Sequence, residues 1–295
     1  MRVHAYRVAQ RGPRSLEALL DWLWARPIHN RSFAGKAPTM RLESLEKLDG
    51  FIMADFAAPR LGHGPGKMAP AVPVTAIAME EGHSFAEDTA FVVDAATGYM
   101  ALQYNHAGPR LGSVRDYLFS ADKAAGMPGG AQPLSADAFG FGVGSVLRPE
   151  AYARLRRFGI FRSVEVEISL PGALAVDLEE GRSLSSVLNA PLPDGVETMS
   201  IKLQSTAARG GQLAAEGVWG IADDIVRLGN AVRSAIIVGK VDDDSRQEEV
   251  DLISERLSTD VRIQLGNGMR YDRNDRWNAL RRALESWREA GMLPV

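Results

Sequence analysis

The sequence predicts an α+β fold with mostly antiparallel sheets built from hairpins, packed helices and a C-terminal amphipathic helix. Three observations carry this prediction. In residues 89–105, two apolar runs flank the turn DAATG, which is typical of a β-hairpin with Gly98 in the turn. Residues 163–170 (SVEVEISL) alternate between apolar and acidic side chains, as a half-buried strand does. Residues 273–291 carry an apolar stripe at helical spacing.

The first half of the chain begins with a predicted strand, MRVHAYRV, in residues 1–8. A helix follows in SLEALLDWLWA, with Ser15 as its N-cap. A second strand is predicted over residues 50–58, ahead of the hairpin. The next helix begins after Pro109 and ends at Gly126.

The second half alternates short helices with strands. FGFGVGSVL is either a strand approached closely by another backbone or a glycine-rich loop. A short basic helix begins at Pro149. ETMSIKLQS predicts a strand with Met199, Ile201 and Leu203 facing inward. A helix over residues 212–233 precedes the strand SAIIVGKV, then a second strand or helix in EVDLISERL, and a hairpin in DVRIQLGNGMRY. The loop composition near Met127 suggests two α+β regions, 1–127 and 128–295, with a single domain as the alternative.

Composition limits the classes of function. The 295 residues are 45% hydrophobic and 24% charged, with a net charge of −3, which is typical of a globular protein. No apolar run approaches the roughly 20 residues of a membrane helix, and the N-terminus lacks a signal-peptide pattern. We therefore expect a cytoplasmic protein without direct membrane insertion. The absence of cysteine excludes thiolate nucleophiles and cysteine-bound metals.

Two glycine-rich basic loops, APRLGHGPGK (58–67) and AGPRLGSVRDYL (107–118), raise the question of phosphate binding. The first loop fails the Walker A pattern, because Leu61 stands where a glycine is required and Met68 where a Ser or Thr is required. Non-specific contact with phosphates and ordinary surface turns remain the two interpretations. The sequence predicts no catalytic residue, no metal site and no cofactor.

Basic residues are unevenly distributed despite the acidic total. Residues 148–162 hold five arginines against one acid, interleaved with aromatic residues, a composition that suits phosphate pairing and base stacking. A helix that buries its aromatic residues behind solvated arginines is the alternative. The predicted phosphate contacts are Arg154, Arg156, Arg157, Arg60, Lys67, Arg110, Arg115, Lys202 and Arg209.

With these elements in order, three segments resemble RexA-type phage-exclusion proteins and related uncharacterised bacterial antiphage defence families. They are GYMALQYNHAGPRLGSVRDYL, RSVEVEISLPGAL and SAIIVGKVDDDSRQEEVDLISERL. The resemblance implies an intracellular homodimer that binds DNA, expected to be duplex, without strong sequence preference. It also implies a part in abortive infection and a partner effector protein.

Two other functions are carried forward as alternatives. A metal-dependent nuclease effector could draw its carboxylates from scattered positions, although EVEIS lacks the Glu-x-Lys step typical of such sites. A protein–protein adaptor of a defence complex would leave the basic segments merely solvated.

Overall fold

The computed structural model describes residues 1–33, 39–60, 64–130, 139–170, 184–188, 195–206, 211–266 and 270–293. Every strand pairing within these ranges is antiparallel. Helices pack on the two larger sheets, which confirms the α+β prediction.

The largest sheet has eight strands. They are β1 (Arg2–Gln10), β2 (Ser32–Phe33), β3 (Met40–Leu48), β4 (Phe51–Pro59), β7 (Ala86–Asp94), β8 (Tyr99–Tyr104), β9 (Phe141–Ser145) and β14 (Ser258–Asp260). Their order is β14-β1-β8-β7-β4-β3-β2, and β9 also pairs with β1 beyond the end of β14. We call this the large sheet.

A second sheet of four strands lies later in the chain. Its strands are β10 (Ile160–Ser169), β11 (Thr198–Gln204), β12 (Val232–Lys240) and β13 (Glu248–Asp251), in the order β11-β10-β12-β13. A two-stranded ribbon, β5 (Gly66–Ala69) and β6 (Val72–Ala76), stands between β4 and β7 in sequence.

Five helices have nine or more residues in the described ranges: α1 (Leu16–Trp24), α2 (Leu111–Ala125), α3 (Pro149–Arg157), α4 (Ala215–Leu228) and α5 (Arg273–Glu289). A single helical turn occupies Ser185–Leu188. Helices α1 and α2 cover one face of the large sheet, around the buried Phe56 and Phe91. The C-terminal α5 covers the opposite face with Trp277 and Leu284. Helices α3 and α4 pack with the second sheet.

Local signals in the sequence account for several element ends. The Ser15 side chain accepts a hydrogen bond from the Ala18 amide and so caps α1 as predicted. Gly98 has φ +73° in the β7–β8 hairpin, a conformation that favours glycine. Gly126 ends α2 and Pro149 begins α3, as predicted. Residues 141–145 form a strand, which resolves the ambiguity of FGFGVGSVL.

Three parts of the fold differ from the prediction. The strand pair β2–β3 and the β5–β6 ribbon were not predicted. Leu203 does not face the core, since its side chain is 41% exposed near the free edge of β11. The segment EVDLISERL forms the short strand β13 and then turns. In DVRIQLGNGMRY, a single bridge joins Leu265 to Tyr271, and residues 267–269 of its turn lie outside the described residues.

The chain leaves the large sheet after β9 and returns to it at β14. Adjacent backbone bonds tie the two crossings together: Leu257 donates to the Val146 carbonyl at 2.7 Å, and Val146 donates to Ala5 at 3.1 Å. The large sheet therefore takes strands from both sides of residue 127. The predicted division into 1–127 and 128–295 stays a prediction.

Candidate nucleic-acid interface

The three predicted contacts on α3 lie at its C-terminal end, and two of them are ion-paired. Arg154 pairs with Glu255, and Arg157 Nη2 lies 3.6 Å from Glu248 Oε2. Arg156 is exposed. Glu248 on β13 and Glu255 after it therefore offset two of the positive charges of this helix.

The remaining predicted contacts outside the large sheet are dispersed. Lys202 on β11 lies 3.3 Å from Glu165 on the neighbouring β10, an exposed cross-strand pair. Lys67 is exposed on the ribbon. Arg209 lies outside the described residues. Among the described residues, no hydrogen bond or ion pair joins Lys67 or Lys202 to α3.

The two glycine-rich loops of the sequence, in contrast, are neighbours at one end of the large sheet. Arg60, directly after β4, donates to Glu87 Oε1 at 3.1 Å, and Asn105, directly after β8, donates to Glu87 Oε2 at 3.2 Å. Glu87 thus links the loop that begins at Arg60 to the loop that carries Arg110. Arg60 and Asn105 therefore share one carboxylate, which brings the starts of the two loops together.

Arg110 belongs to a group of aromatic and basic side chains at this end of the sheet. Its guanidinium lies 5.4 Å from the centre of the Tyr104 ring and donates to the His106 carbonyl at 2.9 Å. The Tyr104 ring lies 5.4 Å from that of His4. We call these four residues, His4, Tyr104, His106 and Arg110, the aromatic–basic cluster.

The alternation of the strands explains why these side chains share a face. His4 pairs with Leu102 in the β1–β8 register, and Tyr104 is two residues beyond Leu102, so both point toward the α2 side of the sheet. Leu102 is buried beneath α2, whereas Tyr104, at the strand end, is 43% exposed. The helix begins after Arg110, which places that arginine over the ring.

The electrostatics of the cluster favour an anion. The pKa of His4 is lowered to about 4, mainly by burial and to a smaller extent by the charges of Arg2 and Arg256, against the opposing effect of Asp260. Arg2 is bound to Asp260 by two hydrogen bonds of 3.2 and 3.1 Å. Burial therefore keeps His4 neutral, and Arg110 is the member of the cluster whose positive charge can meet an anion.

Arg115 lies on α2, away from the aromatic–basic cluster, and stays a predicted phosphate contact. Its side chain is half-buried, and its Nη1 donates to the Arg227 carbonyl at 3.5 Å, at the end of α4. Burial lowers its pKa, against the opposing effect of Asp116. Arg115 therefore lies between the large sheet and α4.

On the opposite face, a buried ionic cluster lies beneath the first turn of α5. Arg276 Nη2 lies 3.1 Å from Asp55 Oδ1 and 2.9 Å from Asp88 Oδ2, and its Nη1 donates to Gln103 at 3.4 Å. Arg270 also pairs with Asp88, at 2.6 Å. Burial raises the pKa of Asp55 to about 6, although Arg276 opposes that shift. The carboxylates neutralise the arginine, which is the arrangement of a structural ion pair.

Two further findings limit the chemistry. Among the described residues, no group of three or more histidine or acidic side chains is arranged to hold a metal ion. Within the same ranges, no helix combines the length and apolar character needed to cross a membrane. The metal-dependent nuclease has no visible site in this part of the chain.

Comparison with protein-family models and with curated proteins finds no match. The resemblance of the three segments to RexA-type proteins therefore stays a prediction. We therefore infer a function from the geometry of the described side chains.

Sequence reasoning missed Tyr104 and His4 as members of the site. Tyr104 ends an apolar strand and His4 lies in an alternating one, so neither stands in a basic segment. The available signal was the end of the hairpin strand, where QYNHAGPR places an aromatic ring, a histidine and an arginine within seven residues.

Proposed function

We propose that the protein binds nucleic acid without reading its sequence, through the aromatic–basic cluster. The observation that carries this proposal is the stack of Arg110 on the exposed Tyr104 ring, with His4 beside it. Every base offers a flat π-face to such a ring, and every phosphate a charge to the arginine, so no base is preferred.

The charges around the aromatic–basic cluster make it a better candidate for the binding surface than α3. Arg154 and Arg157 are paired with glutamates, and binding phosphate would require breaking those pairs. Arg110 makes no ion pair with a carboxylate within the described ranges, and Asp260 is already bound to Arg2. The guanidinium of Arg110 can therefore meet a phosphate without displacing an acidic partner.

The position of Tyr104 favours unpaired bases. A ring that is 43% exposed beside a loop can stack on a base in a single strand, whereas bases in a duplex are already stacked on each other. The sequence analysis predicted duplex DNA as the ligand, so the affinities for single-stranded and duplex DNA are compared.

The cellular role is a separate proposal. Action in antiphage defence as a cytoplasmic homodimer, with an effector partner, rests on the resemblance of the three segments alone. The aromatic–basic cluster contributes the nucleic-acid contact that such a role requires.

The test is a titration of labelled 12-nucleotide DNA, single-stranded and duplex, followed by fluorescence anisotropy. Tyr104→Ala is expected to weaken single-strand binding by about tenfold or more, the usual effect of losing one base–aromatic stack. Arg110→Ala is expected to weaken binding and to lower the slope of log K against log salt by about 0.7.

Two control variants remove the same kinds of side chain, one arginine and one exposed aromatic ring, outside the aromatic–basic cluster. Arg156→Ala removes one exposed arginine from α3, and Trp24→Ala removes a 41% exposed ring that stacks with Arg31. Both are expected to leave the affinity within about twofold of the parent. A loss on Arg156→Ala but not on Arg110→Ala would move the interface to α3. No binding at micromolar protein in low salt would exclude the proposed function.

A further inference from the structure

The ribbon of β5 and β6 belongs to an arm, residues 64–85, that leaves the large sheet between β4 and β7. The base of the arm is fixed. The Arg60 amide donates to the Phe85 carbonyl at 2.7 Å, and the Gly64 backbone lies so close to the Phe85 ring that a β-carbon would overlap it. The arm therefore continues the pairing of β4 with β7 beyond the sheet.

Both faces of the arm are in water beyond this base. Every residue from 73 to 84 is exposed, whereas a strand that rests on a core buries every second side chain. The exposed side chains include Val74, at 68%, together with Ile77 and Met79. A two-stranded ribbon without a core is at best marginally stable in water. A contiguous apolar segment in water is typical of an interaction surface.

The charge of the arm narrows the kind of partner. Residues 68–79 carry no charge, and Glu80 and Glu81 outnumber Lys67 beside them. Glu80 is exposed, and its Oε2 lies 3.6 Å from His83 Nδ1. An acidic and apolar surface does not suit the phosphates of nucleic acid or of an anionic membrane. It suits a protein surface that is apolar and basic.

A surface with those properties lies at the end of α1. Trp24 and Ile28 are exposed there, and the Arg31 guanidinium lies 4.1 Å from the centre of the Trp24 ring. The Arg26 guanidinium lies 4.4 Å from the centre of the Trp22 ring. Tryptophan and arginine are enriched among the residues that dominate binding in protein interfaces. We call these five residues, Trp22, Trp24, Arg26, Ile28 and Arg31, the tryptophan patch.

The arginines of the tryptophan patch are not neutralised by acids. Within the described ranges, no carboxylate lies within ion-pair distance of Arg26 or Arg31. They donate to backbone carbonyls instead, Arg26 Nε at 3.0 Å and Arg31 Nε at 2.8 Å. The two acids of α1, Glu17 and Asp21, both pair with Lys47. An acidic segment can therefore meet the two guanidinium groups without displacing a carboxylate.

The arm and the tryptophan patch lie at the same end of the large sheet. Strand β2, which follows the patch in the chain, pairs with the start of β3. The start of β3 pairs with the end of β4, from which the arm leaves. Two copies that meet at this end can therefore exchange both arms, which closes a two-fold dimer. The aromatic–basic cluster lies on the other side of the arm, at β1 and β8, and supplies no residue to this contact.

We propose that the arm of one copy docks on the tryptophan patch of a second copy, and that the reciprocal contact forms a homodimer. The docking covers the apolar side chains of both surfaces and brings the two glutamates of the arm to the arginines of the patch. Together the arm and the patch offer about the 20–30 residues a side of a standard interface. The resemblance implied a homodimer without an interface, whereas this interface follows from exposed side chains and is independent of the proposed nucleic-acid binding.

The first test measures the oligomeric state of the full chain at micromolar concentration by sedimentation equilibrium. The parent is expected at twice the 32.0 kDa mass of one chain. Val74→Asp and Ile28→Asp place a charge on the arm and on the patch. Each is expected to weaken the dimer by about thirtyfold or more, the effect of losing a dominant interface residue. Leu48→Asp, at an exposed leucine at the opposite end of the large sheet, is the matched control and should leave the dimer intact.

The charge complementarity is tested in the same way. Glu80→Lys/Glu81→Lys is expected to weaken the dimer by about tenfold, because it places like charges beside the arginines of the patch. The effect should be smaller at high salt. Glu248→Lys/Glu249→Lys makes the same change of charge at two exposed glutamates on β13 and should leave the dimer intact. Equal dimer affinity in the parent and the arm variant would contradict docking on the patch.

The second test identifies the contact itself by cross-linking. The chain has no cysteine, so Val74→Cys and Ile28→Cys each carry a single thiol. The two variants are mixed in equal amounts and treated with a short bis-maleimide. The mixture is expected to give a covalent dimer that neither variant gives alone, because an arm on the patch of a partner brings two different positions together. Leu48→Cys mixed with Ile28→Cys is the control and should give no such product.

The outcomes decide between this interface and others. A monomer at micromolar concentration overturns the proposal, whatever the nucleic-acid titration shows. A dimer that survives both Val74→Asp and Ile28→Asp has its interface elsewhere and also overturns it. A covalent dimer in Val74→Cys alone, without the mixed product, would mean that the arms pair with each other. Trp24→Ala is expected to weaken the dimer and to leave the binding of a short DNA strand unchanged, so the failures of the two proposals are distinguishable.

Discussion

The two faces of the large sheet each bury arginine, and they stabilise its charge in opposite ways. Beneath α5, Arg276 lies between Asp55 and Asp88, and the group is electrically satisfied from within the protein. On the α2 side, Arg115 and Arg256 donate to backbone carbonyls, and neither has a carboxylate within ion-pair distance among the described residues. The comparison teaches that burial alone does not make an arginine structural. The partner decides how much of the stability of the fold depends on the arginine, because a buried carboxylate needs its cation and a helix end does not.

The largest expected effect is on the neutralised side. Arg276→Met leaves Asp55 buried without its cation, and we expect a loss of about 3–5 kcal/mol in the free energy of unfolding. Urea denaturation measures it. The double variant Arg276→Met/Asp55→Leu is the control, since it removes both charges and should recover most of the loss. A loss below about 1 kcal/mol in the single variant would show that the pair does not hold the face together.

The second largest effect is expected from a change of pH, because His4 and Asp55, on opposite faces of the large sheet, change the free energy of unfolding in opposite directions. The pKa of His4 is lowered from 6.5 to about 4, so its contribution to stability is complete above 6.5 and is lost as the pH falls toward 4. The pKa of Asp55 is raised from 3.8 to about 6, so its contribution is complete below 3.8 and is lost as the pH rises through 6. The two slopes oppose each other in the parent protein.

Single variants should reveal each slope by urea denaturation between pH 7.5 and 4.5. His4→Gln removes the titrating group, so the variant should not lose the stability that the parent loses through His4 as the pH falls. At pH 4.5 its free energy of unfolding, relative to that of the parent, should be about 2 kcal/mol higher than at pH 7.5, after allowing for the exposed part of the ring. For Asp55→Asn, the free energy of unfolding relative to that of the parent should fall on acidification. Parallel curves for parent and His4→Gln would contradict the buried, neutral state of His4.

Arg256→Met tests the side without carboxylates. It removes one charged hydrogen bond to the Gly229 carbonyl, and we expect a loss of about 1–2 kcal/mol in chloride buffer, less than for Arg276→Met. The loss should stay below that of Arg276→Met, because no buried carboxylate is left without its cation. A loss as large as that of Arg276→Met would remove the contrast between the faces.

The smallest effect is expected at a surface pair. Lys202 and Glu165 are both more than half exposed, and Lys202→Ala should change the free energy of unfolding by less than about 0.5 kcal/mol. Its nucleic-acid affinity should match that of the parent in the same anisotropy titration. A marked loss of affinity would restore the second sheet as a binding surface.

The sequence predicted those elements whose local pattern agrees with their place in the fold. The β7–β8 hairpin has alternating apolar residues and a glycine where φ is positive, and α5 has a stripe that meets the sheet. Strand β3 is different. Its sequence MRLESLEKL spaces leucines at 42, 45 and 48, which is not the period of a strand. Pairing with β4, which includes a bulge after Leu42, makes it extended.

The candidate site was predictable only in part for a related reason. The density of basic residues along the chain can be read from the sequence, and it predicted the arginines of α3 as phosphate contacts. Their partners Glu248 and Glu255 lie about a hundred residues away, so the pairing that offsets those arginines is a product of the tertiary fold. Arg110 was predicted because its loop is glycine-rich and basic. Arg256 lies in a segment with acids on both sides and gave no signal.

The way the chain crosses between its two larger sheets has a consequence for engineering. Leu147 and Arg256 form an antiparallel bridge, and the Arg148 amide bonds the Glu255 carbonyl at 2.8 Å, so the second sheet enters and leaves through adjacent backbones. It is thus an insertion into the loop of a hairpin. A chain in which a two-residue turn joins Leu147 to Arg256 keeps every strand of the large sheet and both covering layers. Such a minimal protein retains His4, Tyr104, His106 and Arg110 while removing α3 and the second sheet, so its binding of nucleic acid tests the aromatic–basic cluster alone.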